Sequence, residues 1–312
     1  MGLADRTPPT ADEYAAYADR FCNWGRWGDD DELGTLNFVT PEVRRKAATC
    51  VVDGRSVSCA RPLDTSPGPA NPYPARHMVN TRRSGGMVDH LSVYIHGFIE
   101  THIDALCHLP VMDREVAWNG KALDDYHMPV EHSGTIDFWC DGIVTRGVLY
   151  DVPRFRGTEY VEPGAPVHGW ELVDVAAAEG VEPQAGDAVI VRSGFGPYFA
   201  RTGGRPGFGS PAGVHASCVE FLYETDAAML VWDMQDAPPA DQGVPNPRGL
   251  PMALHVHQIL LPYMGMPILD NADLEALATA CAEAGRWEVQ FVVAPLVLTG
   301  GTGSPVNPIA VL

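Results

Sequence analysis

Short apolar runs rich in valine, isoleucine and tyrosine recur beyond residue 90, each bounded by turn residues, and this pattern narrows the fold more than any other feature. Leu91 to Ile95, Gly147 to Val152, Ala188 to Arg192, Ala228 to Trp232 and Val289 to Val293 predict strands. Segments of helical periodicity, Gly169 to Glu179, Val214 to Glu224 and Ala272 to Glu283, fall between or after them. Strands alternating with helices require a mixed α/β core around a substantial sheet. Ahead of it, residues 1 to 60 predict a partly helical arm, with Ala11 to Asp19 helix-like and a second helix from Pro41 to about Val52, started by Thr40 as N-cap. The Pro/Gly-rich stretch Pro62 to Pro74 breaks any regular element but is too short to isolate two folding units, so residues 61 to 312 form the main domain.

Charge excludes whole classes of function. With a net charge of −19, the chain has no basic footprint for phosphate backbones or anionic lipid, which leaves a small molecule as the expected partner rather than nucleic acid or membrane. Seven cysteines without a C-x-x-C pair predict reduced thiols, and the opening Met1 to Arg6 carries no export or lipid-anchor signal; both point to the cytoplasm. Leu250 to Leu269 and Gln290 to Leu312 lack Asp, Glu, Lys and Arg, yet their prolines and glycines predict buried core segments with turns rather than membrane spans. No glycine pattern fits a phosphate-binding loop.

Chemistry concentrates between Tyr94 and His108. His96, Glu100, His102, Asp104 and His108 fall within thirteen residues, directly after a predicted strand. Side chains at i and i+2 of an extended segment share a face, so His102 and Asp104 project together as two ligands of one metal should. Imidazole with carboxylate suits Zn²⁺ or Mn²⁺, whereas Mg²⁺ and Ca²⁺ want oxygen alone. His108 reaches the same pocket from four residues on, where a general base for water belongs. Taken alone, an H-x-D pair arises often by chance and reads first as a histidine-rich turn satisfied by backbone hydrogen bonds.

The block Thr101-His102-Ile103-Asp104-Ala105-Leu106-Cys107-His108 resembles the H-x-G-T-H-x-D-x-P-x-H signature of the metal-dependent cyclase family, which includes kynurenine formamidases and isatin hydrolases. The resemblance implies a swivelling β/β/α fold, Zn²⁺ or Mn²⁺ as cofactor, hydrolysis of amides, imides or lactams, and a homo-oligomer. By the same resemblance, His102 and Asp104 are metal ligands and His108 is the base. The first signature His falls on Phe98, its Gly on Glu100 and its Pro on Leu106; either His96, two residues early, replaces the missing ligand if the loop bulges, or that ligand is absent. Near the C-terminus, His257 and Asp270 match the family's distal His and acidic ligand, with Asp in the usual Glu position. Gly28, Gly34 and their Trp/Asp-rich surroundings resemble the N-terminal extension of a longer branch.

Other positions carry two readings. His255 and His257 share a face on a strand, but on a helix only one points inward. Asp233 and Asp236 sit where a strand end enters a crevice, or simply form a turn. Asp270 is a ligand, or it caps the following helix. Cys107, inside the signature, is a candidate nucleophile, or, since it alternates away from His102, Asp104 and His108, packs as a small hydrophobe. Phe98, Trp118, Trp139 and Trp232 line a pocket or the core. The expected protein is a metal-dependent hydrolase of a C–N bond; an ester or lactone hydrolase, a dehydrating cyclase and a metal-free binding protein are the alternatives.

Overall fold

The computed structural model describes residues 3–68, 71–124, 127–129, 132–203, 212–236 and 254–312. In chain order the strands are β1 (Ser56–Ser58), β2 (Arg76–Thr81), β3 (Met87–Ser92), β4 (His102–Asp104), β5 (Ile143–Asp151), β6 (Ala188–Arg192), β7 (Met229–Trp232), β8 (Ile268–Asp270), β9 (Glu288–Val293), β10 (Gly303–Pro305) and β11 (Ile309–Val311). Nine of them form one mixed sheet in the order β1-β11-β9-β5-β6-β7-β8-β4-β10, and β2 pairs with β3 in a separate ribbon. β5 to β8 run parallel, while β9 and β4 flank them antiparallel. The expected mixed α/β architecture is therefore present. Strands buried on both faces read as unbroken apolar runs; β6 and β7 are buried along their whole length and lie where their runs predict.

Helix Gly169–Glu179 has the predicted bounds and ends on left-handed Gly180. Three others are shorter than expected, for local reasons. The expected Val214 helix begins only at Cys218, because His215 Nδ1 takes the Ser217 N–H at 2.9 Å and so competes with the first helical turn. The expected Ala272 helix begins at Glu275, since the Ala272 N–H is bound to the Trp232 carbonyl and the Asp273 N–H to that of Cys59. The arm's second helix stops at Ala48. The arm is packed rather than loose: Tyr14, Tyr17 and Phe21 are buried in the core.

Two expectations fail. The run Leu91 to Ile95 is not a core strand; Leu91 and Ser92 end an exposed ribbon strand and the next three residues leave it, because Ser92 and Tyr94 face solvent. Within Gln290 to Leu312, Leu296, Val297 and Leu298 are exposed rather than buried. Residues 255–269 are buried as expected and Leu254 is half-buried, while 250–253 lie outside the described residues. No described helix is long and apolar enough to cross a membrane.

Candidate metal centre

β4 explains how the cluster is assembled. It lies between β8 and β10, with His102 opposite Asp270 in one register and opposite Pro305 in the other. Asp104 shares the face of His102, as the i, i+2 spacing requires. Opposite Asp104 stands Gly303, where a Cβ would meet His96 Cε1 and the Ile103 carbonyl oxygen, each at 2.7 Å. That missing side chain is the space His96 occupies.

The ring nitrogens define what the cluster can hold. His102 donates from Nδ1 to the Glu100 carbonyl at 2.8 Å, and His257 from Nδ1 to Asp236 Oδ1 at 2.6 Å, which aims both Nε2 atoms inward. His102 Nε2 lies 3.3 Å from Asp104 Oδ1, and His257 Nε2 lies 3.5 Å from Asp104 Oδ2 and 3.3 Å from Asp270 Oδ2. His96 Nδ1 approaches Asp104 Oδ1 at 2.8 Å while its Nε2 meets the Thr302 hydroxyl at 2.9 Å. Among the described residues, candidate ligand atoms thus fall into two trios, His96–His102–Asp104 and Asp104–His257–Asp270, each with its atoms within 4.8 Å of one another. Asp104 belongs to both.

Burial and charge act on these groups in opposite directions. Burial pushes the His102 imidazolium down, but Asp104 and Asp270 more than reverse it and raise the group to about 8. His257 is likewise raised well above the usual range against its burial, by Asp236 and Asp270. Asp104 is held well below the carboxylate range, the surrounding histidines outweighing the burial that opposes them. His108 behaves differently: burial lowers it to about 4, and His96, His257 and His102 add to that despite Asp104. Its ring stacks on His96 at 3.6 Å between centroids, with Nε2 4.0 Å from Asp104 Oδ2. His108 and His96 keep 22% and 26% of their side chains exposed, whereas His102 and Asp104 keep 1%, so the stacked pair forms the mouth of the site.

A divalent cation fits these residues. Among the described residues Asp104 Oδ2 is buried without a hydrogen-bond partner, an arrangement costly for a carboxylate unless an ion or bound group completes it. Imidazole and carboxylate donors are those that zinc and manganese accept.

Each sequence candidate now has a place. His96, His102, Asp104, His108, His257 and Asp270 come together; His255 does not. A short helix, His257–Ile259, replaces the strand alternative and sends His255 the other way, against Tyr14. Asp236 orients His257, while Asp233 accepts the N–H groups of Ser193, Gly194 and Phe195. Cys107 is buried and its thiol is pushed up to about 12, so it carries no thiolate. Reasoning from sequence missed Thr302 and Gln235; Trp232, read as pocket lining or core, is buried in the core and also reaches the site. Trp232 Nε1 donates to Asp270 Oδ1, and Gln235 Nε2 donates to Asp270 Oδ2 at 2.8 Å. The available signal was position: Trp232 to Asp236 leave the carboxyl end of a parallel strand, where α/β sheets open their crevices.

A mixed-sheet α/β protein with a buried histidine–carboxylate centre is the class this fold and site define. The sequence model of the Cyclase family matches residues 23–237, and the chain belongs to that family. A crystal structure of a novel cyclase is similar over 94% of this chain and 100% of its own, at 28% identity and a TM-score of 0.77. Isatin hydrolase A from Labrenzia aggregata, bound to benzyl benzoate, shares the fold over 88% of this chain and 98% of its own, at 17% identity and a TM-score of 0.55. Isatin hydrolase A from Ralstonia solanacearum does so over 82% and 91%, at 18% identity and a TM-score of 0.53. No curated protein matches.

Proposed function

We propose that the chain is a metal-dependent hydrolase that cleaves the C–N bond of a small cyclic or aromatic amide, imide or lactam. One observation carries the reading: among the described residues two ligand trios meet at Asp104, whose Oδ2 is buried and lacks a hydrogen-bond partner there. Mn²⁺ or Zn²⁺ held by His102, Asp104, His257, Asp270 and His96 would supply Lewis acidity toward a carbonyl and lower the pKa of water. His108, uncharged at neutral pH because burial disfavours its imidazolium, takes a proton from the attacking water and returns it to the departing nitrogen. Glu100 and Asp236 hold the rings of His102 and His257 in orientation, and Trp232 does the same for Asp270. Elemental analysis of protein loaded with Mn²⁺ or Zn²⁺ and desalted tests this: near-stoichiometric metal in the parent and none in His102→Ala or Asp104→Ala supports it. No retained ion in the parent rejects it.

The working form is a homo-oligomer in the reducing cytoplasm, with seven unpaired cysteines. Support for a second copy comes from the β2–β3 ribbon. Eleven of its twelve strand residues are exposed, apolar Met78, Val79, Met87 and Leu91 among them, and a lone two-stranded ribbon is marginally stable. Arg76, Arg82 and Arg83 stand there against one acidic residue, Asp89, in a chain of net charge −19. An acidic partner suits that ribbon, and a second copy is one.

A further inference from the structure

Beside the centre, Gln235 presents an atom for which the hydrolytic scheme has no use. Its Nε2 donates to Asp270 Oδ2 at 2.8 Å and to the Gly97 carbonyl at 3.1 Å. Two acceptors on the nitrogen fix which way round the amide lies, so the other atom must be the carbonyl oxygen. That Oε1 is buried and has no hydrogen-bond partner among the described residues. A buried acceptor left unpaired is destabilising, so the group calls for a ligand that pairs with it.

The missing partner is a donor. A cation is better served by the carboxylates and imidazoles already gathered at Asp104, since a neutral amide oxygen is the weaker ligand. What a neutral acceptor selects is an N–H. Among carbonyl compounds hydrolysed at an acyl bond, primary and secondary amides, imides and unsubstituted lactams carry one on the scissile nitrogen; esters, lactones and N-alkyl lactams do not. We propose that Gln235 is a specificity-determining residue whose Oε1 accepts the N–H of the scissile amide, so that the site takes N–H amides, imides and lactams and turns away esters and N-alkylated analogues. This rests on the amide-hydrolase reading and refines its substrate class. The same side chain thus steadies Asp270 with its nitrogen and reads the substrate with its oxygen.

The test pairs each N–H probe with its N-methyl counterpart: phthalimide, oxindole and formanilide, titrated calorimetrically into Mn²⁺-loaded wild type, Gln235→Met and Gln235→Glu. Wild type is expected to bind the N–H member roughly tenfold or more tightly. In Gln235→Met, which lacks the acceptor, the gap should shrink to about threefold or less, while Gln235→Glu, which keeps an acceptor oxygen, should preserve a preference. Equal binding within every pair, a gap that survives Gln235→Met, or no binding of any N–H probe would overturn the inference. So would loss of Mn²⁺ from Gln235→Met alone, which would assign Oε1 to the cation. Hydrolysis of the same pairs separates the two readings. Turnover without N–H preference removes the role of Gln235 and leaves the hydrolase; N–H-selective binding without turnover does the reverse.

Discussion

His102 and His108 sit in the same cluster yet are driven to opposite protonation states, and that contrast sets the chemistry expected of each. His108→Ala should keep its bound metal and its fold while losing roughly 10²–10⁴-fold in kcat on any substrate of the parent, because only the proton transfer is removed. Retained turnover in that variant would place the base elsewhere. For His102 the sign of the pH effect follows from its raised value. In the cation-free protein its charged form is favoured, so it contributes stability below the ordinary histidine value of about 6.5 and loses that contribution as pH rises through about 8. A cation must displace the Nε2 protons of both His102 and the likewise raised His257, so affinity should weaken by roughly tenfold or more for each unit that pH falls below about 8. Calorimetry at several pH values, in buffers of different ionisation heat, counts the protons released; an affinity flat between pH 6 and 9 would contradict the assignment.

Elements that were readable in the sequence are those with a long apolar run or face packed on the core, and the ones that were not are those that build the site. β6 and the helix Gly169–Glu179 follow from the local apolar pattern, which their packing in the sheet and against the core rewards. β4, β8 and β10 are three residues each, too short for a pattern, and β4 spends two of its three positions on His102 and Asp104. The ligands on β4 were legible as a motif, and their spacing gave the shared face. Thr302 and Gln235 were not, because their roles depend on which strands become neighbours, a property of the sheet order rather than of any local run. Backbone proximity gives one element-scale prediction. At Gly213 an added Cβ would lie 1.4 Å from the Gln235 carbonyl oxygen and 3.0 Å from that of Met234, so Gly213→Ala must push the segment that carries Gln235 and Asp236. We expect a loss of about 1–3 kcal/mol in stability together with weaker cation binding. A variant that melts lower with unchanged affinity would show that the segment moves without disturbing His257.

At the scale of the whole molecule, the β2–β3 ribbon makes the association state a direct measurement. Light scattering after gel filtration should give about twice the 33.7 kDa of the chain, and Arg82→Glu with Arg83→Glu or Leu91→Asp should shift the protein toward that single mass. A wild type that runs as one chain, or a dimer indifferent to both changes, would reject the ribbon as the contact. The sheet order has a further consequence, one of timing. β4 carries His102 and Asp104, but both strands that flank it, β8 and β10, come from far later in the chain. During synthesis those two ligands leave the ribosome long before His257, Asp270 and Thr302 exist. The emerging chain therefore displays an H-x-D pair too incomplete to hold an ion firmly, and the centre closes only once its last strands have been made, so the finished fold, rather than the order of translation, decides when a metal is taken up.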